Sequence, residues 1–124
     1  MIRAGIIGLG LRGQDLLEQI LLPRQDVEII SICDNYPPRL DEGMNLITSK
    51  GRARPEPYAN YRALLEAGDI DCVFVFSAWE NHIPAALAAM WAGIPVAVEV
   101  GGAYSVRQCW QLVETYEDTG TPVM

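Results

Sequence analysis

The sequence predicts an α/β fold of the Rossmann type, in which a doubly wound parallel sheet forms a single domain over residues 1–124. Apolar runs typical of strands alternate with helix patterns along the chain. The strand runs are nearly continuous in apolar residues, as expected for a parallel sheet that is covered on both faces. The first run breaks into a glycine-rich turn that leads directly into a helix pattern. Together these observations predict the strand order 3-2-1-4-5-6.

The glycine-rich turn follows the first strand, which begins at Ile2, and reads Gly8-x-Gly10-x-x-Gly13. Gly8 allows the tight turn, Gly10 lets backbone N–H groups approach a pyrophosphate, and Gly13 keeps the helix close to the sheet. The N-terminus of that helix carries partial positive charge and attracts anions. In this context the turn predicts dinucleotide binding.

The first helix is predicted from Leu11 to Leu22, because Pro23 stops it. Its apolar residues recur at helical spacing, which predicts one buried face. The residues expected on that face are Gly13, Leu16, Leu17, Ile20 and Leu21.

Further strands and helices follow in alternation. The strands are predicted at 27–33, 58–59, 71–76 and 95–98, with the start of a sixth at 121–124. The helices are predicted from 37 to near 51, at 61–67, from 82–84 to 92 and at 105–119, because prolines near the starts and glycines after the ends mark their boundaries. The segment 52–57 is predicted as a surface loop with solvated charges. In the last two helices the residues expected to pack inward include Trp91, Val106, Cys109, Trp110 and Val113.

The composition argues against several classes of function. Nine basic and 16 acidic residues give a net charge of −7, which argues against nucleic acid or an anionic membrane as a partner. No apolar run reaches the ~20 residues of a membrane span. His82 is the only histidine and has no ligand cluster around it in the sequence, so no metal site is expected. Cys33, Cys72 and Cys109 are widely spaced, and we expect buried thiols in a reducing cytoplasm.

Polar residues follow the predicted carboxyl ends of several strands, which is where open parallel sheets bind ligands. Asp34 ends the second strand and lies 21 residues after Gly13, close to the ~20 expected of the carboxylate that binds the adenosine ribose. A carboxylate there repels a 2′-phosphate, so the sequence favours NAD over NADP. Arg39 is the reservation, since a nearby arginine can accommodate that phosphate. The alternative for Asp34 is a solvated loop aspartate.

A second polar segment, Ser77-Ala78-Trp79-Glu80-Asn81-His82, leaves the fourth strand towards the expected nicotinamide half of the cofactor. Trp79 could pack on a ring and His82 could donate a hydrogen bond to the cofactor. Alternatively, Trp79 closes a local apolar cluster and His82 is a turn residue. Glu99 ends an apolar strand and should face a cleft or a partner, because an unpaired buried carboxylate is costly. Arg12 either reaches a phosphate or lies on the surface.

These motifs resemble the N-terminal domain of the Gfo/Idh/MocA family, which includes glucose–fructose oxidoreductase and inositol dehydrogenase. The resemblance runs from the glycine turn through Cys33-Asp34 and Ser77-x-x-x-x-His82 to Glu99, and it covers nearly all of the chain. The residues that the motifs and the resemblance together assign to NAD are Gly8, Gly10, Leu11, Arg12, Gly13, Asp34, Ser77, Trp79, Glu80, Asn81, His82, Glu99 and Val100.

Members of this family usually follow strand five with Glu-Lys-Pro, and the lysine helps to catalyse hydride transfer on a sugar-like substrate. This chain reads Glu99-Val100-Gly101 there, and its only lysine, Lys50, lies at the far end of an earlier helix. We therefore assign no catalytic residue to the chain. It is more similar to a branch with Trp-Glu-Trp-His after strand four and Glu-Val-Pro after strand five, which contains NAD-dependent α-N-acetylgalactosaminidases. It departs from that branch at Ala78, Asn81 and Gly101.

The resemblance implies an NAD-binding domain of an oxidoreductase that acts on a carbohydrate or polyol. One alternative is an NAD-dependent glycoside hydrolase that oxidises its sugar transiently, and another is a non-catalytic nucleotide-binding module. The family's proton-transfer residues and most of its substrate pocket come from a following domain, so we expect residues 1–124 to bind cofactor without turnover. A sugar-like substrate is the second expected ligand, and a homo-oligomer is compatible with this interpretation.

Overall fold

The computed structural model describes residues 1–124 and contains a parallel sheet between two layers of helices. The strands are β1 (Ile2–Ile7), β2 (Val27–Cys33), β3 (Glu56–Tyr58), β4 (Cys72–Val75) and β5 (Val96–Val98). The helices are α1 (Leu11–Leu16), α2 (Pro37–Ser49), α3 (Tyr61–Ala67), α4 (Trp79–Trp91) and α5 (Val106–Thr119). The strand order is β3-β2-β1-β4-β5, and all neighbours are parallel. The predicted Rossmann fold is confirmed. In place of the expected start of a sixth strand, a single parallel bridge joins Val123 to Val96.

Two apolar cores lie on opposite faces of the sheet. The helices α1 and α2 cover one face, where Leu17 and Ile47 are fully buried. The helices α3 and α4 cover the other, where Leu64 and Met90 are buried. The strand order reverses between β1 and β4, so the connections after these two strands leave towards opposite faces and a cleft opens between them.

The first helix changes its pitch halfway. After α1 the chain forms a π-helical turn at Leu17–Leu21. Hydrogen bonds in such a turn reach the fifth residue rather than the fourth, so the buried positions become Leu17, Leu21 and Leu22. Ile20, which was predicted to be buried, is 56% exposed. The prediction of one regular helix is therefore wrong in its second half.

Helix α4 begins earlier than predicted. It starts at Trp79, so Pro84 lies inside the helix rather than in its first turn. Proline removes one backbone hydrogen bond from a helix. The helix continues because Pro84 is on its exposed side, while Ile83 and Ala85 are buried next to it. The first turn of α4, rather than a loop, therefore carries the segment from Trp79 to His82.

Helix α5 exposes the side that was predicted to be buried. Its start has the expected capping contact, since the Gln108 N–H donates to Ser105 Oγ at 3.2 Å. Leu112 and Thr115 face the body of the protein. The residues predicted to pack inward on α5, and one at the end of α4, are instead exposed. They are Val106, Cys109, Trp110 and Val113 on α5, and Trp91 on α4.

The cysteines and the 52–57 loop also depart from expectation. Cys33 is buried and Cys72 is half-buried, whereas Cys109 is exposed, so the expectation of three buried thiols is wrong for Cys109. Burial, with a smaller effect of the neighbouring Asp34 charge, raises the pKa of Cys33 to about 12. Arg52 is half-buried rather than fully solvated, because its guanidinium donates to three backbone carbonyls, those of Leu22, Arg24 and Val27. All the helices fall short of the length and apolar character that a membrane span requires.

We expect Gly13→Ala to lower the free energy of unfolding by about 1–3 kcal/mol, the usual cost of forcing extra volume into a packed site. An alanine Cβ would lie 2.3 Å from the Gly8 carbonyl oxygen. This clash outweighs the ~1 kcal/mol by which alanine is favoured over glycine in a helix. Urea denaturation measures the change. Gly10→Ala is the matched control, because only the Arg39 side chain, at 3.9 Å, lies near its Cβ, and an equal loss in both variants would contradict the steric argument.

Candidate functional site

A cleft of about 630 Å³ opens at the carboxyl edge of the sheet, between the connections that follow β1, β2 and β4. The predicted cofactor residues that line it are Gly8, Gly10, Leu11, Arg12, Asp34, Ser77, Glu80 and Asn81. The other predicted residues lie behind or beside the cleft and do not line it, and they are Gly13, Trp79, His82, Glu99 and Val100. The structure contains no cluster of three or more His, Cys, Asp or Glu side chains that could hold a metal ion.

The glycine turn is packed tightly on its inner side and open towards the cleft. Gly8 has φ +99°, and a Cβ there would lie 2.4 Å from the Ser77 nitrogen. Gly13 lies against the Gly8 carbonyl. Gly10 has open space where a Cβ would stand. Since the first N–H groups of a helix have no partner within the helix, a ligand in this space can accept hydrogen bonds from the start of α1.

Asp34 ties the glycine turn to the turn after β2. Its side chain is buried, with 7% of the residue exposed. Oδ2 accepts the Leu9 N–H at 2.9 Å, and Oδ1 accepts the Tyr36 N–H at 2.9 Å. Asp34 is therefore not a solvated loop residue. Each carboxylate oxygen has a second lone pair, which leaves capacity for a ribose hydroxyl.

Leu9 anchors the glycine turn, a role that the glycine motif does not predict. Its side chain is fully buried. Gln14 Nε2 donates to its carbonyl oxygen at 2.9 Å. In α2, Gly43 leaves room for it, because a Cβ there would lie 2.9 Å from Leu9 Cδ1. The one signal in the sequence is an apolar residue between two glycines.

An ion pair links the start of α1 to the segment after β5. Arg12 Nε donates to Glu99 Oε2 at 3.0 Å, and the Val100 N–H donates to Glu99 Oε1 at 2.9 Å. The Val100 N–H, and after it the Arg12 guanidinium, hold the pKa of Glu99 below its ordinary value. Glu99 thus faces a partner, as the apolar strand before it predicted, and that partner is Arg12.

His82 holds the connection after β4 in place. It is 1% exposed, and its Nε2 lies 2.7 Å from the Ser77 carbonyl oxygen. Because a carbonyl only accepts, Nε2 carries the proton, and this donor bonds to the main chain. The segment after β5 packs on the His82 side chain, since a Cβ at Gly102 would lie 2.4 Å from His82 Cβ and 2.5 Å from its ring Nδ1. Trp79, which is 59% exposed, lies against Gly101.

The wall beyond Asp34 contains Arg39, which the sequence offered only as a site for a 2′-phosphate, and residues near position 60 that were assigned no role in binding. Arg39 lies over the Tyr36 ring at 5.7 Å, and Arg62 lies over the Tyr61 ring at 5.4 Å. Neither arginine forms an ion pair. The lining residues that were not assigned to NAD include Asn35, Arg39, Ala59, Asn60, Tyr61, Arg62 and Phe76. Those around residue 60 follow an edge strand too short to give a clear pattern in the sequence.

Comparison with known proteins identifies relatives of the chain. A glycosyl hydrolase family 109 protein from Stenotrophomonas maltophilia is 36% identical over 129 residues, covering 99% of this chain and 28% of that protein. An oxidoreductase from Agrobacterium radiobacter, solved in complex with NAD+, L-tartaric acid and magnesium, superposes with a TM-score of 0.85 at 22% identity, covering 99% of this chain and 34% of that one. The WlbA dehydrogenase from Bordetella pertussis, solved with NADH and UDP-GlcNAcA, gives a TM-score of 0.84 at 21% identity, covering 98% and 36%.

The two solved structures establish likeness of fold, and the match to a family model establishes the family. The chain spans little more than a quarter of the length of the curated relative that it matches. The family model described as "Oxidoreductase family, NAD-binding Rossmann fold" matches residues 2–124, almost the whole chain. The chain therefore belongs to the Gfo/Idh/MocA oxidoreductase family, as its NAD-binding Rossmann domain.

Proposed function

We propose that this domain is the cofactor-binding part of an oxidoreductase that acts on a carbohydrate or polyol, and that NAD lies across the glycine turn in the cleft. The observation that carries the proposal is that Gly10, Asp34 and Ser77 line one cleft. The opening at Gly10 admits a pyrophosphate to the N-terminus of α1. Asp34, on the β2 side, suits the adenosine ribose. The nicotinamide would then face the β4 side, beside Glu80 and Asn81.

Bound NAD would supply the hydride acceptor, and the residues of this chain would bind and orient it. No lysine of the chain stands near the cleft, because Lys50 caps the far end of α2 and pairs with Glu18 at 2.8 Å. Val100 occupies the position of the family's lysine. We therefore assign proton transfer and most of the substrate pocket to a further domain. This is supported by the length of the relative, of which this chain covers 28%. The three free, widely spaced cysteines are compatible with our proposal of a reducing cytoplasm as its compartment.

A second candidate is an NAD-dependent glycoside hydrolase. Relatives named glycosyl hydrolase family 109 protein, at 36% and 38% identity, favour it. The retained residues Trp79, Glu80, His82, Glu99 and Val100 match that branch. In such a reaction the sugar is oxidised and then reduced again within one turnover, so NADH does not accumulate. Accumulation of NADH therefore distinguishes an oxidoreductase from a glycoside hydrolase.

We expect Asp34→Ala to weaken NAD binding by about 1.5–3 kcal/mol, the range for a hydrogen bond to a charged group, which is about 10- to 150-fold in Kd. Calorimetric titration of the 124-residue chain with NAD and NADP measures it. The wild type should prefer NAD, and the variant should lose that preference along with affinity, because the carboxylate that repels a 2′-phosphate is gone.

Loss of the preference for NAD over NADP shows that Asp34 contacts the ribose. If Asp34 only supported the glycine turn, affinity would fall for both cofactors and the preference would remain. Asp41→Ala, which removes an exposed carboxylate from α2, is the matched control and should bind as the wild type does. An Asp34→Ala variant that keeps both affinity and preference would place the ribose elsewhere.

We expect Gly10→Ala to keep the wild-type melting temperature and to lose at least about tenfold in NAD affinity, since a methyl group would stand in the space through which the pyrophosphate reaches the helix N-terminus. Thermal unfolding and calorimetric titration of the same sample give the two readouts. Unchanged affinity in a folded variant would contradict the proposed position of the pyrophosphate.

We expect residues 1–124 alone to be inactive, and a full-length protein that carries this domain to produce stoichiometric NADH with its sugar or polyol. The absorbance of NADH and the release of nitrophenol from a nitrophenyl α-N-acetylgalactosaminide are followed in parallel. Release of nitrophenol without NADH would favour the glycoside hydrolase. NAD binding without either activity across a sugar panel would favour a non-catalytic module, and turnover by residues 1–124 alone would contradict the division between two domains.

A further inference from the structure

The charged side chains that line the cleft divide between its two ends. They are Arg12, Asp34, Arg39, Arg62 and Glu80. Asp34, Arg39 and Arg62 follow β2 and β3, at the end where we place the adenosine. Glu80 follows β4, at the end where we place the nicotinamide, and Arg12 lies between them at the start of α1. The two ends of the cleft therefore differ in charge.

Glu80 is the acidic residue of this lining that has no partner. Its side chain is exposed and forms no ion pair. By contrast, both carboxylate oxygens of Asp34 accept backbone N–H groups. The Glu99 carboxylate accepts the Arg12 guanidinium and the Val100 N–H. The negative charge of Glu80 is therefore available to a bound ligand.

The start of α4 would otherwise bring positive charge to this end of the cleft. The helix begins after Ala78 without a side-chain cap, so its first N–H groups keep their partial positive charge. Glu80 is the acid in its first turn, and its unit charge outweighs the roughly half charge of a helix terminus. The Arg12–Glu99 pair is neutral overall. Glu80 consequently makes this end of the cleft negative.

The two redox forms of the cofactor differ in charge only at the nicotinamide ring, which is cationic in NAD+ and neutral in NADH. We propose that Glu80 makes the cleft bind NAD+ more tightly than NADH, because its carboxylate attracts the oxidised ring. This role of Glu80 rests on the proposed function, since it requires the nicotinamide to lie on the β4 side. The adenosine and both phosphates are the same in the two forms, so the residues that contact them do not distinguish NAD+ from NADH.

The preference is modest because water reaches Glu80. Two unit charges about 4 Å apart in water interact by an energy that corresponds to roughly fivefold in Kd. We therefore expect NAD+ to bind about three- to tenfold more tightly than NADH. A tenfold preference lowers the midpoint potential of the bound two-electron couple by about 30 mV. Both candidate reactions begin with hydride transfer from the sugar to NAD+, so Glu80 would favour the form of the cofactor that starts the turnover.

Calorimetric titration of the 124-residue chain with NAD+, NADH and ADP-ribose tests the proposal. ADP-ribose carries the adenosine and both phosphates but no nicotinamide. We expect Glu80→Gln, which keeps the size of the side chain, to weaken NAD+ binding about three- to tenfold. The Kd values for NADH and ADP-ribose should stay unchanged. Glu66→Gln is the matched control and should leave all three Kd values unchanged, since Glu66 is exposed on α3, in the same helical layer, and does not line the cleft.

Ionic strength and charge reversal give readouts that a purely structural role of Glu80 would not change. Added salt should reduce the preference for NAD+ in the wild type, because salt screens exposed charges. The same salt should leave the ratio of the two Kd values unchanged in Glu80→Gln. Glu80→Lys should reverse the preference. Thermal unfolding shows that each variant is folded, since an acid in the first turn also stabilises a helix.

The outcomes separate the role of Glu80 from the proposed function. A wild type that binds neither NAD+ nor ADP-ribose would contradict the proposed function, and the role of Glu80 with it. If the wild type binds NAD+ and NADH equally, the role of Glu80 is overturned while the proposed function stands. A preference that persists in Glu80→Gln, or an equal loss of affinity for all three ligands in that variant, would overturn it as well.

Discussion

The buried hydrogen bond from the Leu9 N–H to the Asp34 carboxylate is the contact on which the site depends. It joins the turns after β1 and β2, which are adjacent in the sheet but far apart in sequence. A buried carboxylate needs such donors, because a buried polar group without a hydrogen-bond partner costs about 1–3 kcal/mol, and a charged group costs more. The same contact therefore stabilises both the carboxylate proposed to bind the ribose and the glycine turn proposed to bind the pyrophosphate.

The segments after β4 and β5 are also held by side-chain contacts. Arg12 and Glu99 join the start of α1 to the segment after β5, and His82 joins the first turn of α4 to the connection before it. Gly102 permits the close approach that completes this second contact. Side chains thus cross-link the segments that follow β1, β2, β4 and β5.

The cleft and the apolar side of α5 are separate surfaces of one domain. The cleft lies at the carboxyl edge of the sheet and is lined largely by polar groups and glycines, whereas the apolar side of α5 lies on the outside of the helical layer. The two surfaces share no residue.

The order and type of the elements, the glycine turn and the acid at the end of β2 could all be predicted from the sequence alone. These features depend on side-chain periodicity and backbone freedom within a few residues, so a local pattern is sufficient for them. Tertiary packing decided what the pattern left open: the π-helical turn that exposes Ile20, the helix that continues through Pro84, the partners of Arg12 and His82, and the direction in which α5 points its apolar side. An amphipathic pattern shows that a helix has an apolar face, but only the neighbours in space determine whether this protein or another one covers it.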